Sequence, residues 1–444
     1  MTRGHAVVIG GSMAGLLATR VLARHFTMVT LIERDCLSDR AEHRKGVPQG
    51  QHFHILLKRG ERALTQLFPD LGTALVAGGA TVVDIGADMQ IYQFGGFKIR
   101  CPTGADLLFL SRPFLEWHVR SRVLSVGNVT TRQEHEVTGL VTTEDRARVT
   151  GVTLARADRA RPLETLAADL VIDASGRGSQ TPAWLEAFGY LKPPETTVTV
   201  DIGYTSRVYR RTPRDLPGTK AAYALPKPPG ERRFGALFPM EGDRWIAELG
   251  GWLGEHAPAH EQGFLEFARS LPSPEIARAL PRLEPLSDFA VHRFPANRRR
   301  HYERSDRFPE RYLVVGDAMC SFNPVYGQGM TVSALEAQAL DGCLSGPNGM
   351  DLRGLAPRFF AEAARAIDPA WLLTTSEDLR HPGAGGARPV TLRLLNWYTG
   401  CVFRAATRDA EVLRAFLEVM GLVRRPVSLL RPRIVARALA GGLR

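Results

Sequence analysis

Residues 5–33 have the pattern of a strand, a glycine-rich turn, a helix and a second strand, and no other stretch restricts the fold as strongly. An apolar run at 5–9 leads directly into the turn Gly10-Gly11-Ser12-Met13-Ala14-Gly15. Leucine and valine then recur at helical spacing from 16 to 22, before a β-rich run at 28–32. Continuous apolar strands joined by helices are typical of a parallel sheet that is covered on both faces.

The turn predicts a dinucleotide-binding site. Gly10 permits a tight turn, the small residues at 11 and 12 let the backbone approach a pyrophosphate, and Gly15 lets the helix pack against the strand. The helix N-terminus offers free N–H groups to the anion. Glu33, at the end of the second strand, stands where a carboxylate accepts hydrogen bonds from an adenosine ribose. The alternative is a structural αβ unit without a ligand.

A second group of small residues follows a buried strand about 300 residues further on. Gly316-Asp317-Ala318 ends the strand at 312–315, and Asn323-Pro324-Val325-Tyr326-Gly327-Gln328-Gly329-Met330 opens a helical run. An aspartate at a strand end can hold ribityl hydroxyls, and a Gly-Gln-Gly turn points N–H groups and a helix dipole at the negative edge of a reduced flavin. Paired with the first turn, this predicts FAD rather than NAD. An ordinary helix entry is the alternative. The candidate binding residues here are Asp317, Pro324, Gly327, Gln328, Gly329 and Met330.

Further strands and helices predict the domain organisation. Runs at 169–173 and 312–315 add two parallel strands, whereas alternating stretches such as 197–201 and 245–249 indicate an antiparallel sheet. The fold class is therefore α/β: a Rossmann-like, glutathione-reductase-type FAD-binding domain, interrupted by an antiparallel substrate domain and extended by helices. The predicted boundaries are 1–80, 104–190 and 288–345 for the first domain, 81–103 and 191–287 for the second, and 346–444 for the helical C-terminal region.

The amino-acid composition limits the classes of binding partner and the cellular compartment that we expect for this protein. The formal net charge is +11, but the arginines that cause it are spread along the chain, which favours an arginine-rich surface over nucleic-acid binding. The five cysteines are far apart and form no CxxC or Cys/His group, so neither disulfides nor a metal site are predicted, and we expect a reducing cytoplasm. The basic tail 426–444 fits a docked helix better than a membrane-surface helix.

Five ordered motifs give the sequence a family resemblance. They are the turn at 10–15, Arg44-Lys45-Gly46-Val47-Pro48-Gln49 with His52 and His54, Ser111-Arg112, Asp173-Ala174-Ser175-Gly176-Arg177-Gly178-Ser179, and Gly316-Asp317 through Gly329-Met330. With these motifs the chain resembles the class A flavoprotein monooxygenases, which have the fold of para-hydroxybenzoate hydroxylase. Within that group it is most similar to the bacterial epoxidases of polyether antibiotic pathways, of the lasalocid and monensin kind.

The resemblance implies further binding roles. It places Arg44 and Arg112 near the pyrophosphate or ribityl chain and the backbone of Val137 near the adenine. It also adds Arg34, Lys45 and Gly176 as cofactor-binding candidates. One motif departs from the family, because Ser175-Gly176 stands where Asp-Gly is usual and a following arginine is missing. That aspartate serves NADPH binding in the family, so the electrons from NAD(P)H arrive either directly or through a separate flavin reductase.

The function implied is an FAD-dependent monooxygenase of secondary metabolism. It would insert one oxygen atom from O₂, through a C4a-hydroperoxyflavin, into a hydrophobic polyketide-like or aromatic substrate, by epoxidation or hydroxylation. The sequence indicates no catalytic base, and packing roles are expected for His52 and His54. Two alternatives stay open: a reductase or desaturase of an isoprenoid-like substrate, and a non-catalytic flavin-binding partner protein. A halogenase is disfavoured because the WxWxIP motif is absent.

Overall fold

The computed structural model describes residues 3–156, 163–346 and 351–442. In these ranges the strands are β1 Arg3–Ile9, β2 Phe26–Ile32, β3 Phe53–Ile55, β4 Thr81–Asp84, β5 Met89–Gln93, β6 Gly96–Phe97, β7 Asp106–Ser111, β8 Val129–Arg132, β9 His135–Thr142, β10 Val149–Arg156, β11 Glu164–Ala167, β12 Leu170–Asp173, β13 Glu195–Arg210, β14 Ala221–Ala224, β15 Arg233–Met240, β16 Arg244–Gly251, β17 Ala290–Arg300, β18 Tyr312–Val314 and β19 Cys320–Ser321. The helices are α1 Met13–Leu22, α2 Lys58–Leu67, α3 Leu71–Ala77, α4 Ile85–Asp88, α5 Arg112–Leu124, α6 Thr181–Ala187, α7 Glu261–Arg269, α8 Glu275–Ala279, α9 Gly329–Ser345, α10 Leu355–Asp378, α11 Val390–Ala405, α12 Ala410–Met420 and α13 Pro432–Gly442.

A parallel five-stranded sheet forms the centre of the first half, in the order β18-β12-β1-β2-β8. Its central strand β1 is apolar on both faces, and Val7 and Val8 are fully buried. Helices α1, α5 and α9 pack with this sheet, as the continuous apolar runs require. The small antiparallel sheets β11-β10-β9 and β3-β7-β4 lie beside it. The predicted α/β class with a Rossmann-like domain is confirmed.

An eight-stranded sheet forms the second unit, in the order β19-β17-β13-β16-β15-β14-β5-β6. Neighbouring strands in this sheet run antiparallel, except that β14 and β5 run parallel to each other. Strand β17 lies within the predicted FAD-binding segment 288–345, yet it pairs with β13 and β19 of this sheet. Strand β4, at the start of the predicted segment 81–103, pairs instead with β7. The domain boundaries stay a prediction.

The C-terminal region is helical. Helices α11, α12 and α13 share one apolar cluster with the segment at 426–430. The last of them is docked on the others by ion pairs, including Arg437 with Asp409 at 2.7 Å and Arg433 with Glu411 at 2.8 Å. Within residues 3–156, 163–346 and 351–442, no helix is both long enough and apolar enough to cross a membrane.

Candidate functional site

The turn between β1 and α1 is closed by contacts that only glycine permits. Gly10 has a φ of +100°, and a Cβ there would lie 2.6 Å from the carbonyl oxygen of Ala174. A Cβ on Gly15 would lie 1.8 Å from the carbonyl oxygen of Gly10, so the helix starts directly against the strand. The side chain of Ser12, at the N-cap, makes no capping bond. This arrangement leaves first-turn N–H groups of α1 to a bound anion.

Glu33 and Arg44 hold the backbone of this turn. Glu33 Oε2 accepts a hydrogen bond from the Gly11 N–H at 2.7 Å, and Oε1 accepts one from the Asp35 N–H at 3.0 Å. Arg44 lies 3.3 Å from the Glu33 carboxylate and donates to the carbonyl oxygen of Gly11 at 3.2 Å. Both residues therefore lie where the sequence analysis places the nucleotide, and they also order the turn itself.

Glu116, on α5, links the two predicted arginines and was missed from the sequence. It accepts hydrogen bonds from Arg44 Nε at 3.0 Å and from Arg112 Nη2 at 3.0 Å. Arg112 also donates to the Ser12 hydroxyl at 2.8 Å. Burial acts to raise the pKa of Glu116, but Arg112 and Arg44 together hold it below its usual value. The four-residue spacing of Arg112 and Glu116 on a helix is the signal that could have revealed it.

The remaining candidates of this half differ in their placement. The side chains of Arg34 and Lys45 are exposed and lie outside the hydrogen-bond network of the turn. Val137 is half-buried on β9, whose first residue donates its N–H to the carbonyl oxygen of Glu33 at 3.1 Å. Gly176 has a φ of +80°, and among the described residues no non-neighbouring atom lies within 4 Å of a Cβ placed there.

Gly316 brings the two predicted motifs into contact. It has a φ of +65°, and a Cβ on it would lie 2.6 Å from the Cβ of Ala14. Asp317 follows, half-buried, with Oδ1 3.9 Å from a Cβ placed on Gly329. Burial raises the pKa of Asp317, although three arginines, Arg112 among them, act to lower it. Segments about 300 positions apart in the sequence are thus brought together, and the binding site that their pairing predicts stays a prediction.

The loop at 323–330 turns sharply into α9. Pro324 begins a short 3-10 turn, and Gly327 takes the left-handed conformation with a φ of +65°. Gln328 is buried, and its Oε1 accepts a hydrogen bond from Thr374 Oγ1 at 2.6 Å. Helix α9 begins at Gly329, and the next residue, Met330, is buried. The predicted helix entry is therefore present, with the dipole of a long helix directed at the loop.

A buried carboxylate that the sequence analysis missed holds this loop. Asp378 Oδ1 accepts hydrogen bonds from Asn323 Nδ2 at 2.9 Å, Tyr326 Oη at 3.0 Å and Trp252 Nε1 at 2.8 Å. Its Oδ2 accepts one from Asn297 Nδ2 at 2.7 Å. Burial raises the pKa of Asp378 to about 6 against the effect of these four donors. The carboxylate lies on α10, in the predicted C-terminal extension, and no local pattern relates it to its donors.

A second buried carboxylate lies beneath the Gly316 turn. Glu336, on α9, accepts a hydrogen bond from the Gly316 N–H at 2.7 Å through Oε2. Its Oε1 has no hydrogen-bond partner among the described residues. Burial raises the pKa of Glu336 to about 8, so the acid is largely protonated at neutral pH.

The two histidines singled out from the sequence lie on or beside β3. This strand passes next to the loop, since a Cβ on Gly327 would lie 3.4 Å from the carbonyl oxygen of Ile55. His52 Nδ1 lies 2.8 Å from Ser206 Oγ, and His54 Nδ1 lies 3.1 Å from the carbonyl oxygen of His52. Burial lowers the pKa of His54 to about 3, so this side chain is uncharged at neutral pH.

The residues present fit FAD. Two buried donors among the predicted residues, Gln328 Nε2 and Arg112 Nε, have no partner in the described part of the chain. The uncapped N-terminus of α1 offers backbone N–H groups of the kind that a pyrophosphate requires. A dinucleotide of this kind would satisfy groups that the protein leaves unpaired.

Comparison with known proteins identifies the family to which this chain belongs. Residues 3–346 match the model of the family described as FAD binding domain, so the chain belongs to that family. It is 34% identical to Protein Rv3254 of Mycobacterium tuberculosis over 463 residues, covering 100% of this chain and 94% of the relative.

Two solved structures show the extent of the shared fold. PqsL, a probable FAD-dependent monooxygenase from Pseudomonas aeruginosa, is 16% identical, with a TM-score of 0.62 over 85% of this chain and 99% of its own. The flavin-dependent brominase Bmp2 is 15% identical, with a TM-score of 0.66 over 98% of each chain. At these identities the similarity is one of fold, and the second comparison extends it into the C-terminal region.

Proposed function

We propose that the protein is an FAD-dependent monooxygenase that inserts one oxygen atom from O₂ into a hydrophobic small molecule. The observation that carries the proposal is the contact of Gly316 with Ala14, which joins the N-terminal nucleotide turn to the loop at 323–330. The family membership supports FAD as the cofactor, and the fold shared with PqsL supports the reaction class.

The chain's own residues would hold the two ends of FAD. Gly10–Gly15 and Glu33 would bind the ADP half, Asp317 the ribityl chain, and the loop from Pro324 to Met330 the ring system. When bound and reduced, FAD would supply the two electrons that activate O₂, so that one oxygen atom goes to the substrate and the other leaves as water. The N-terminus of α9 would stabilise negative charge on the ring, since helix N-termini carry a partial positive charge.

An aromatic face of the eight-stranded sheet meets the loop and would keep water out. Tyr223 donates a hydrogen bond to the carbonyl oxygen of Val325 at 3.1 Å, and Phe53 packs edge-on against Phe238 with ring centroids 4.8 Å apart. Trp245, on the same sheet, is buried in a different cluster, where its Nε1 donates a hydrogen bond to Asp215. A dry, apolar surface here suits a hydrophobic substrate and limits wasteful release of hydrogen peroxide.

Epoxidation, as in the polyether enzymes that the sequence resembles, is the reaction we favour over hydroxylation. A phenol hydroxylase benefits from a base that removes the ring proton, whereas an epoxidase needs none. The histidine nearest to a carboxylate on this face, His52, already shares Ser206 with Glu248, because the serine hydroxyl donates to Glu248 Oε2 at 2.7 Å. His52 is thus engaged within the protein rather than presented to a substrate.

A separate flavin reductase is the electron source we favour. In the motif that departs from the family, Ser175 replaces the usual aspartate, and Asp173 is the nearest carboxylate. Asp173 is fully buried and accepts hydrogen bonds from the Ser175 N–H at 2.8 Å and from the hydroxyls of Ser179 and Thr181 at 2.6 Å each. It is therefore not available to bind NAD(P)H in place of the missing side chain.

Isotope labelling tests the proposal. The purified, flavin-loaded protein is reduced without oxygen and then mixed with ¹⁸O₂ and a panel of hydrophobic alkenes and phenols. We expect one labelled oxygen atom in the product, and the reaction of NADPH with the protein to be faster when a flavin reductase is added. Products that lack the label but have gained or lost hydrogen would establish the reductase or desaturase alternative instead. Flavin reoxidation that no compound accelerates would favour a non-catalytic partner protein.

A further inference from the structure

An apolar cavity of about 150 Å³ lies among the C-terminal helices, apart from the flavin site. It is enclosed by α10, α11, α12 and the segment at 426–430, and Leu373, Val402 and Phe416 form its floor and walls. An apolar cavity of this size in another protein stays free of water and takes up benzene, so about six carbon atoms can be accommodated.

The polar side chains that line the cavity are already paired within the protein, including the Glu377 carboxylate, which accepts a hydrogen bond from Arg380 Nε at 2.9 Å. Ser376 Oγ donates to the carbonyl oxygen of Leu373 at 3.1 Å, and Tyr398 Oη donates to that of Leu429 at 2.5 Å. Thr399 Oγ1 donates to the carbonyl oxygen of Leu395 at 3.0 Å. A ligand in the cavity would therefore gain little from hydrogen bonding and would have to be hydrocarbon at this point.

The mouth of the cavity carries large apolar side chains that face solvent. Val427, Leu430 and Leu372 line the cavity and are 67%, 58% and 43% exposed. Arg425 and Arg431 flank the segment that bears the first two, and both are exposed. Neither forms an ion pair within the part of the chain that the structure describes. An apolar opening whose lining segment is preceded and followed by an exposed arginine matches a molecule with a hydrocarbon chain and an anionic head.

We propose that this cavity binds the alkyl chain of a carboxylate amphiphile, such as a fatty acid, with Arg425 and Arg431 attracting the head group. The cavity shares no residue with the FAD-binding set, so the inference holds whether or not the proposed oxygenation is correct. Helix α10 lies between the two sites, since Leu373 faces the cavity while Thr374 holds Gln328 of the flavin loop.

Calorimetric titration of the flavin-loaded, full-length protein with butanoate, hexanoate, octanoate and decanoate tests the site. Each buried methylene is worth about a fourfold gain in affinity, so affinity should rise with chain length and level off after about six buried carbons. Replacing both Arg425 and Arg431 by alanine should weaken octanoate but not octanol. Affinity that is independent of chain length would overturn the proposal.

A matched pair of variants locates the binding. Leu395→Trp fills the cavity and should abolish octanoate binding, whereas Leu394→Trp, at the exposed neighbour on the same helix, should retain it. Met420→Ala enlarges the cavity, so the affinity should continue to rise up to longer alkyl chains before it levels off. This variant keeps the test decisive if the tryptophan variant folds poorly. Octanoate binding that is equal in both tryptophan variants and unchanged by Met420→Ala would overturn the proposal.

Two other occupants of the mouth give different results. If the exposed leucines and valine instead lie on a bilayer, the protein will sediment with phosphatidylglycerol vesicles and will not bind soluble octanoate. If a second copy of the chain covers them, sedimentation velocity will show a dimer that Val427→Ser dissociates and that excludes octanoate. Either result would contradict a site for a single amphiphile.

Discussion

The two ends of the candidate site are stabilised in different ways. The turn at 10–15 depends on backbone atoms in close contact. Gly15 lies against the carbonyl oxygen of Gly10, and Gly10 lies against the carbonyl oxygen of Ala174. The loop at 323–330 depends on side chains from distant segments, which converge on the carboxylate of Asp378. Close backbone contacts, supplemented by the hydrogen bonds of Glu33 and Arg44, therefore fix the first end, whereas hydrogen bonds from distant side chains fix the second.

Because of this difference, we expect the two ends to respond differently to amino-acid substitutions and to pH. A close backbone contact tolerates no added atom but is insensitive to pH, because no proton is involved. A buried carboxylate with several donors tolerates changes in volume better, but it responds to loss of charge and to pH.

The largest effect is expected from Gly15→Ala. The added Cβ meets a backbone oxygen at 1.8 Å, which no side-chain rotation can relieve, so the strand and helix must separate. We expect a loss of about 3 kcal/mol or more in the free energy of unfolding, and purified protein without yellow colour. Denaturant unfolding and the ratio of flavin to protein absorbance measure these.

Gly72→Ala is the matched control for this change. Gly72 lies in helix α3, and a Cβ there meets no described atom within 4 Å. Alanine should be neutral or stabilise the helix by up to about 1 kcal/mol, and full flavin content should be retained. A Gly15→Ala protein that retains its flavin equally well would show that the turn is not closed as described.

Asp378→Asn should give the next largest effect. An asparagine offers one carbonyl acceptor and introduces an N–H₂ group among donors from Trp252, Asn297 and Asn323, so at least one buried donor loses its partner. We expect a loss of about 2–4 kcal/mol in unfolding free energy and weaker FAD binding. Thermal unfolding and reconstitution of the flavin-free protein with FAD provide the measurements.

Asp368→Asn controls for the change of charge on the same helix. Asp368 is largely exposed and pairs with Arg299 at 2.6 Å. Its loss should cost less than about 1 kcal/mol, because the Asp368 carboxylate is exposed and the buried Arg299 keeps Glu303 as a partner at 3.1 Å. Equal effects of the two substitutions would mean that the four hydrogen bonds to Asp378 do not stabilise the loop.

The pH dependence of stability gives a third test, at Glu336. Its pKa is about 8 in the folded protein and near 4.5 when the chain is unfolded, so the folded state retains the proton over this range. The stabilisation from this group is complete below pH 4.5 and is lost as the pH rises through 8, by at most about 1.4 kcal/mol per pH unit.

Glu336→Gln should remove that dependence, because the amide stays neutral and its oxygen can still accept from the Gly316 N–H. The measurement is the unfolding free energy of both proteins between pH 5 and pH 8, with flavin content as a check. We expect the difference between them to shift in favour of the glutamine variant as the pH rises. A constant difference would mean that the carboxyl group is not buried in protonated form.

The first end of the site could be predicted from the sequence for a physical reason. Its contacts join residues that are close along the chain or at the ends of neighbouring strands. Glycines at fixed spacing indicate directly where two backbone segments come close together. Gly10, Gly15 and Glu33 were therefore found, and the parallel sheet around them followed from the buried strands. Glu116 was missed, although its spacing from Arg112 on one helix indicated the pair.

For the second end, the sequence predicted the backbone conformation but not the side chains that stabilise it. Gly327 and Gln328 indicated a helix entry, but the residues that hold it come from elsewhere. Trp252 is 126 residues and Asn297 81 residues from Asp378, and their pairing depends on the packing of β16, β17 and α10. Neither hydrophobic periodicity nor local spacing contains such information, so the C-terminal region was predicted as helical without its contribution to the site.

The smallest effects on FAD binding are expected from Arg34→Ala and Lys45→Ala. Both side chains are exposed, and exposed charges contribute at most about 1 kcal/mol, so each change should weaken FAD binding less than about fivefold. Arg44→Ala should weaken it at least about tenfold, because Glu33 and Glu116 would lose a buried counter-charge. FAD titration of the flavin-free proteins, followed by fluorescence, ranks the three. A loss at Arg34 equal to that at Arg44 would place Arg34 in direct contact with the nucleotide, and the closed backbone turn would then account for only part of the binding.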